Sequence, residues 1–253
     1  MNKVVRKFLR VCRLYDPVVD FKNWLTRTQA EYVRFYSQFV NKGDLCFDVG
    51  ANVGRRTKVF LKLEAMVIAV EPQEHCMAKL RKKYVDNDRV VLVQKAVGER
   101  KGQAQMMICD SHSLSSLSKN WVDSVKASGR YSSCTWNRTV TVPVVPLDDL
   151  ISQYGKPAFM KIDVEGYEYE ALKGLSQPIK VICFEFTPEF MDSTINCVEH
   201  LSKIGPAKFN YCLEDKPTSF VLSKWCTAEQ MREELDSLRS RKTVGDIYVK
   251  FEN

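Results

Sequence analysis

A glycine loop headed by an acid, and further acids closing later apolar runs, carry the chemistry available to this sequence. Asp48-Val49-Gly50-Ala51-Asn52-Val53-Gly54 follows the apolar run Leu45–Val49 and precedes a helical pattern through about Leu63. Gly50 lets the chain turn at little steric cost and lets a ligand approach the backbone. Gly54 lets the helix pack closely, and the helix start offers unpaired N–H groups at a positive dipole end. A dinucleotide loop expects G-x-G-x-x-G. Here the spacing is G-x-x-x-G, Asn52 takes the middle position, and Asp48 stands two residues ahead of the first glycine. That acid opposes a pyrophosphate but suits a ligand with an ammonium, a sulfonium and no phosphate, which describes S-adenosylmethionine. Glu71 closes the next apolar run, where a doubly wound sheet presents an acid to ribose hydroxyls, and Pro72 fixes the backbone after it.

The second constellation is Lys161-Ile162-Asp163-Val164-Glu165-Gly166. An apolar run ends here, so Asp163 is expected at the carboxyl edge of a sheet. A strand period of two places Asp163 and Glu165 on one side, and Gly166 turns the chain into a helix over Tyr167–Leu175. Glu185 ends the next run and brings a third carboxylate to the same edge. Group transfer from such a donor needs in-line alignment and gains from a base that removes a proton from the acceptor. Asp163, Glu165 and Glu185 are the candidates for that work. The plainer alternative makes Asp163 a helix cap and Glu165 a first-turn acid. Carboxylates so grouped also suit Mg²⁺, but nothing in the sequence demands a metal and none is assigned. His112 and Ser116, in Ser111-His112-Ser113-Leu114-Ser115-Ser116, are candidates for contact with the cofactor or the acceptor, or else belong to a polar loop.

The elements needed to position these residues alternate. Short apolar runs at 45–49, 66–70, 89–93, 159–163 and 181–185 are separated by helical patterns, and 245–251 reads as a closing strand. This predicts an α/β fold with a mostly parallel sheet covered on both faces. Residues 1–43 form an N-terminal helical extension, with a helix expected over 28–41, and residues 44–253 the main domain. Residues 111–139, rich in serine and carrying Trp121, Tyr131 and Trp136, interrupt the alternation as a cap over the substrate site or a surface loop with a docked helix.

Bulk properties exclude some partners. Hydrophobic residues make up 45% and charged residues 27% of the 253, so a full core is affordable. The net charge of +7 has no long Lys/Arg block behind it, which argues against nucleic acid as a partner. Residues 1–15 carry five basic side chains, with Val4, Phe8, Val11 and Tyr15 at helical spacing, and suit either weak membrane-surface contact or packing on the domain. No apolar stretch is long enough to span a bilayer, and the basic N-terminus is unlike a signal peptide. Nine widely spaced cysteines without CxxC fit a reducing, cytoplasmic setting rather than a disulfide framework.

These motifs, in this order, resemble the FkbM-type family of S-adenosylmethionine-dependent methyltransferases. The resemblance covers roughly residues 44–190 and rests on FDVGANVG (47–54), VEP (70–72), KAVGERKG (95–102), SSL (115–117), VPLDDLI (145–151) and MKIDVEGYEYEALKGL (160–175). It implies the seven-stranded Rossmann-like sheet of a class I methyltransferase and O-methylation of a small, sugar- or polyketide-type hydroxyl. By position, Asp48, Gly50, Ala51, Asn52 and Gly54 then form the methionine-side loop, Glu71 and Pro72 the ribose site, and Ala96 and Val97 lie near adenine. Arg55-Arg56 directly after the loop departs from the family's usual smaller or aromatic residues. Competing readings are an NAD-dependent oxidoreductase, disfavoured by Asp48 and the missing glycine, an RNA 2′-O-methyltransferase, disfavoured by Glu185, and a non-catalytic scaffold.

Overall fold

The computed structural model describes residues 29–213, 219–241 and 243–252. The basic segment 1–15, considered above for a membrane surface, lies outside them. Seven strands form the central sheet: β1 (Leu45–Val49), β2 (Met66–Val70), β3 (Val90–Val93), β7 (Phe159–Ile162), β8 (Val181–Phe186), β9 (Ala207–Leu213) and β10 (Gly245–Phe251). Their order is β3-β2-β1-β7-β8-β10-β9, parallel except for β10, which runs antiparallel to both neighbours. The expected seven-stranded Rossmann-like sheet is therefore present. The order in which the chain lays down its strands reverses between β1 and β7, and in such sheets ligands bind outside the carboxyl ends of the strands at that point.

Helices cover both faces. The helix described from residue 29 to 36 (α1) is shorter than the expected 28–41, and turns carry the chain on to residue 39. Its Tyr32, Phe35 and Tyr36, with Phe39 beyond it, recur at helical spacing and are buried. Tyr36 packs edge-on against Phe60 and Phe159, while Phe39 stacks on Phe159 and Tyr248. The extension thus forms part of the core on one sheet face. That face also carries α2 (Arg55–Lys62) and α3 (Glu74–Tyr84), while α5 (Leu147–Tyr154), α6 (Glu168–Lys173), α7 (Met191–Ile204) and α8 (Ala228–Leu238) complete the fold. The core of the other face includes Leu147, Leu150, Leu172, Val198, Leu201, Met231 and Leu235.

Between β3 and β7 the chain builds a second sheet that the sequence reading did not identify: β4 (Ala96–Val97), β5 (Gly102–Cys109) and β6 (Trp136–Val145), in the order β4-β6-β5. The region 111–139 connects β5 to β6 and includes the first residues of β6. It carries a 3-10 turn at His112–Leu114 and α4 (Lys119–Ser128). Ser118 caps α4 by accepting from the Trp121 N–H. Trp121 is fully buried and anchors α4 through an indole N–H donated to Thr187 Oγ1 at 3.2 Å.

Candidate active site

A cavity of about 330 Å³ opens at the carboxyl edge, lined from both sides of the switch point. Sheet order dictates its layout. Ala96 and Val97 lie beyond β3, Glu71 follows β2, the loop Asp48–Val53 leaves β1, Asp163 and Glu165 follow β7, and Glu185 stands one residue before the end of β8. A ligand lying along this edge meets these groups in that sequence.

The loop after β1 is held open by backbone geometry. Gly50 sits at φ +80, and a Cβ there would lie 1.8 Å from the Asp163 carbonyl oxygen, so the loop and the β7 exit touch backbone to backbone. Asn52 also has positive φ, 50. Asparagine tolerates this region better than most residues, and its side chain supports the turn locally, Oδ1 accepting from the Val53 N–H at 2.8 Å. That is the physical reason an asparagine serves where a dinucleotide loop has its middle glycine. Asp48 is buried beneath the loop and accepts a short hydrogen bond from Thr57 Oγ1. Burial raises its pKa, and the Thr57 bond opposes the rise.

Glu71 is 2% exposed, and each carboxylate oxygen accepts one backbone N–H: Oε2 from Asn52 and Oε1 from Gln73, both at 2.8 Å. Burial still pushes its pKa up to about 7, against the lowering by those donors. Asn52 and Gln73 also donate side-chain N–H groups to the His112 carbonyl, at 3.4 and 3.0 Å, pinning the 3-10 turn over this end of the cavity. His112 lines the cavity, with Nδ1 buried and without a hydrogen-bond partner. Its burial, then Lys79 and His75, lower its pKa and favour the neutral ring.

At the other end, Asp163, Glu165 and Glu185 each bring a carboxylate oxygen within 4.8 Å of the other two. The route to this convergence differs from the expected one. β7 ends at Ile162, so Glu165 is not placed by strand alternation. The Asp163 N–H still bonds the Val49 carbonyl at 2.9 Å, after which the chain turns through Glu165 at φ 54 and Gly166 at φ 81. Three contacts fix this turn. The Val164 N–H donates to Glu168 Oε1 (2.9 Å), the Ser116 hydroxyl donates to the Glu165 carbonyl (2.6 Å), and Trp121 covers Gly166 so closely that a Cβ would lie 2.1 Å from its ring. Burial, then repulsion from Asp163, raises the Glu165 pKa strongly, and burial, then Glu165, does the same to Glu185.

Beneath the cluster lies Lys161, wholly buried, with Nζ 2.7 Å from Asp246 Oδ1 and 3.4 Å from Asp163 Oδ2. Burial works against its charge, but Asp163 and Asp246 outweigh it and hold the ammonium protonated. Asp246 also faces Arg56 at 4.0 Å, and the Arg56 guanidinium lies over the Tyr32 ring at 4.4 Å. Arg55 donates to the Tyr32 hydroxyl at 2.8 Å. The two arginines after the loop are therefore tied to α1.

Two candidates from the sequence do not line the cavity. Gly54 packs under Leu80 and Tyr84. Ser116 is fully buried, with its hydroxyl committed to Glu165, and the neighbouring Ser115 lines the cavity instead. Sequence reasoning missed Gln73, Met106, Leu117, Tyr167 and Glu168. Only Glu168 left a readable signal, as an acid opening a helix just after a turn. Among the described residues, eight cysteines are free thiols, and no helix is long and apolar enough to cross a membrane.

The model of the methyltransferase FkbM domain matches residues 48–205, the span that builds the cavity. The chain belongs to this methyltransferase family. Among curated relatives, the hexuronic acid methyltransferase AglP of Haloferax volcanii is 24% identical over 164 residues, covering 62% of this chain and 61% of the relative. The chain thus matches about three-fifths of that relative's length. Similar solved structures include a precorrin-6y C5,15-methyltransferase from Geobacter metallireducens (11% identity, TM-score 0.46, 88% and 87% of the two chains). Another is a TehB-like SAM-dependent methyltransferase from Corynebacterium glutamicum (9%, TM-score 0.43, 88% of each chain). Likenesses of this degree carry no information on the acceptor. The family's methyl donor, S-adenosylmethionine, fits the donor set. Five acids (Asp48, Glu71, Asp163, Glu165, Glu185) line the cavity beside three bases (Arg55, Arg56, Lys95), and a bound sulfonium and ammonium favour the ionised form of the nearby carboxyls that burial otherwise drives toward protonation.

Proposed function

We propose that this methyltransferase moves the methyl group of S-adenosylmethionine to a hydroxyl of a small, sugar-like acceptor. The observation that carries this reading is the convergence of Asp163, Glu165 and Glu185 at the β7–β8 end of the donor cavity. A hydroxyl must lose its proton as its oxygen attacks carbon, and this cluster offers acceptors for it. A carboxylate acceptor needs no base.

Glu71 holds the ribose hydroxyls, the Asp48–Asn52 loop receives the methionine portion, and Ala96 and Val97 flank adenine. When bound, S-adenosylmethionine supplies a methyl group on a positively charged sulfur, an electrophile with a good leaving group. Asp163 stands beside buried Lys161 and serves as the fixed anion of the cluster. Glu165 and Glu185, pushed toward proton uptake by burial and by neighbouring acids (Asp163 for Glu165, Glu165 for Glu185), accept the hydroxyl proton. Positioned base catalysis of this kind is worth roughly a hundred- to ten-thousand-fold. The excess of acid around the cavity counts against a pyrophosphate cofactor and a hydride-transfer reaction, and the same acids disfavour a polyanionic RNA at the reacting centre.

The relative named for hexuronic acid methylation supports a sugar-type acceptor. The test is incubation with methyl-labelled S-adenosylmethionine and a panel of sugars, nucleotide sugars and lipid-linked glycans, read by mass spectrometry. A methyl ether on a hydroxyl is the expected product. Labelling confined to carboxylates or to RNA defeats the reading.

A further inference from the structure

A second groove adjoins the donor cavity and shares Leu117 and Tyr167 with it. It lies between α4, the start of α6, the 3-10 turn at Pro188–Phe190 and α7, and encloses about 700 Å³. That is in the upper part of the ~300–1,000 Å³ typical of small-molecule sites, and twice what the donor cavity offers. It flanks the chain segments leaving β7 and β8, so a ligand held there can pass a group over Tyr167 toward Glu165.

The lining has a definite chemical character. Tyr167, Tyr169 and Phe190 are half-buried and present ring surface. The side-chain amides of Asn120 and Asn196 are exposed and have no hydrogen-bond partner among the described residues. The charges are already used. Arg239 is clamped by Asp192 Oδ1 at 2.6 Å and Asp236 Oδ1 at 2.8 Å, and Lys119 is bonded to Asp123. Glu170 pairs with Lys173 at 2.6 Å, and Glu189 with Arg130 at 2.9 Å. The lining sets Glu170, Glu189 and Asp192 against Lys119 and Arg239, so an anionic ligand finds no excess of positive charge here. Rings that cover C–H faces, beside amides that both donate and accept, suit a chain of hydroxylated rings without charge.

We propose that this groove is the acceptor site and that it takes an uncharged, polyhydroxylated chain longer than one sugar ring. The proposal rests on the methyltransferase reading above and deepens it by naming the acceptor class and its seat. Asn196→Trp fills the groove and Asn120→Ala removes an amide, both at exposed positions outside the donor cavity, so folding and donor binding should persist.

The experiment uses the full chain, methyl-labelled S-adenosylmethionine, the neutral probes maltotriose, xylotriose and mannotriose, the anionic probe trigalacturonate, and the corresponding monosaccharides. S-adenosylhomocysteine affinity is measured alongside by calorimetry. The expected result is label on a neutral trisaccharide in preference to its monosaccharide. Asn196→Trp should lower kcat/KM by roughly tenfold or more while S-adenosylhomocysteine affinity stays unchanged. The proposal is overturned if trigalacturonate is the better acceptor, if monosaccharides react as well as trisaccharides, if no neutral trisaccharide takes label, or if Asn196→Trp leaves kcat/KM within about twofold. Loss of the groove alone leaves hydroxyl methylation intact. Absence of any heat with S-adenosylhomocysteine brings down the underlying methyltransferase reading, and the groove with it.

Discussion

Donor binding should be linked to a proton through Glu71. In the empty protein this carboxyl titrates near 7, because burial outweighs the two backbone N–H groups that already donate to it. Ribose hydroxyls donate best to the ionised form, so binding draws the pKa down and releases a proton around neutrality. If only the ionised form binds well, apparent affinity scales with its fraction. That fraction is roughly a tenth at pH 6 and nine tenths at pH 8, so the Kd for S-adenosylhomocysteine should tighten about tenfold across the interval, some 1.4 kcal/mol. The sign for stability runs the other way. The folded-state pKa lies above the ordinary 4.5, so this group stabilises the empty protein below that value and the contribution fades as pH rises toward 7. Titration calorimetry in two buffers of different ionisation enthalpy reads both affinity and proton release. S-adenosylhomocysteine is the right probe because it lacks the sulfonium charge that would engage Glu165 and Glu185. Glu71→Gln should bind more weakly and lose the pH dependence. Equal affinity at pH 6 and 8 in the parent protein, or a pH dependence surviving in Glu71→Gln, would refute the ribose assignment.

Three further outcomes follow from the same geometry. Gly50→Ala forces a side chain into positive φ and into the Asp163 carbonyl. Beyond about 1–2 kcal/mol of backbone cost, it should move the loop against the carboxylate cluster and cut turnover about a hundredfold, seen in label-transfer rates. Lys161→Met leaves buried Asp246 with only its longer contact to Arg56 and should cost about 3–5 kcal/mol in urea unfolding; a loss under about 1 kcal/mol would show that the ammonium is not needed to hold this buried acid. Glu165→Gln should retain S-adenosylhomocysteine affinity while kcat falls by about a hundred- to ten-thousand-fold. The parent kcat should rise with pH as Glu165, its pKa raised by burial and Asp163, gives up its proton, and a rise that persists in Glu165→Gln would assign the base elsewhere.

Much of the architecture is written in short-range patterns. Apolar runs bounded by breakers marked five of the six parallel strands within a residue or so, and 245–251 fell on β10, but β9 (Ala207–Leu213) was not read from the sequence. β6 was equally legible in principle, since Val140, Val142 and Val144 alternate with exposed Thr139, Thr141 and Pro143, but it sits beside a serine-rich region that reads as loop. The placing of α1 in the core was not legible, because an amphipathic helix does not name the face it covers.

For the site, the sequence determined the groups: an acid ahead of a glycine turn, an acid closing the second strand, and carboxylates closing two later strands. Strand ends are local features, and sheet topology sends them to one edge. Tertiary structure alone decided how they meet. The left-handed turn at Glu165, its clamps from Glu168, Ser116 and Trp121, and the buried Lys161–Asp246 pair join residues up to 85 positions apart. Pairwise contact over such distances depends on packing in three dimensions, which no local pattern of residues encodes.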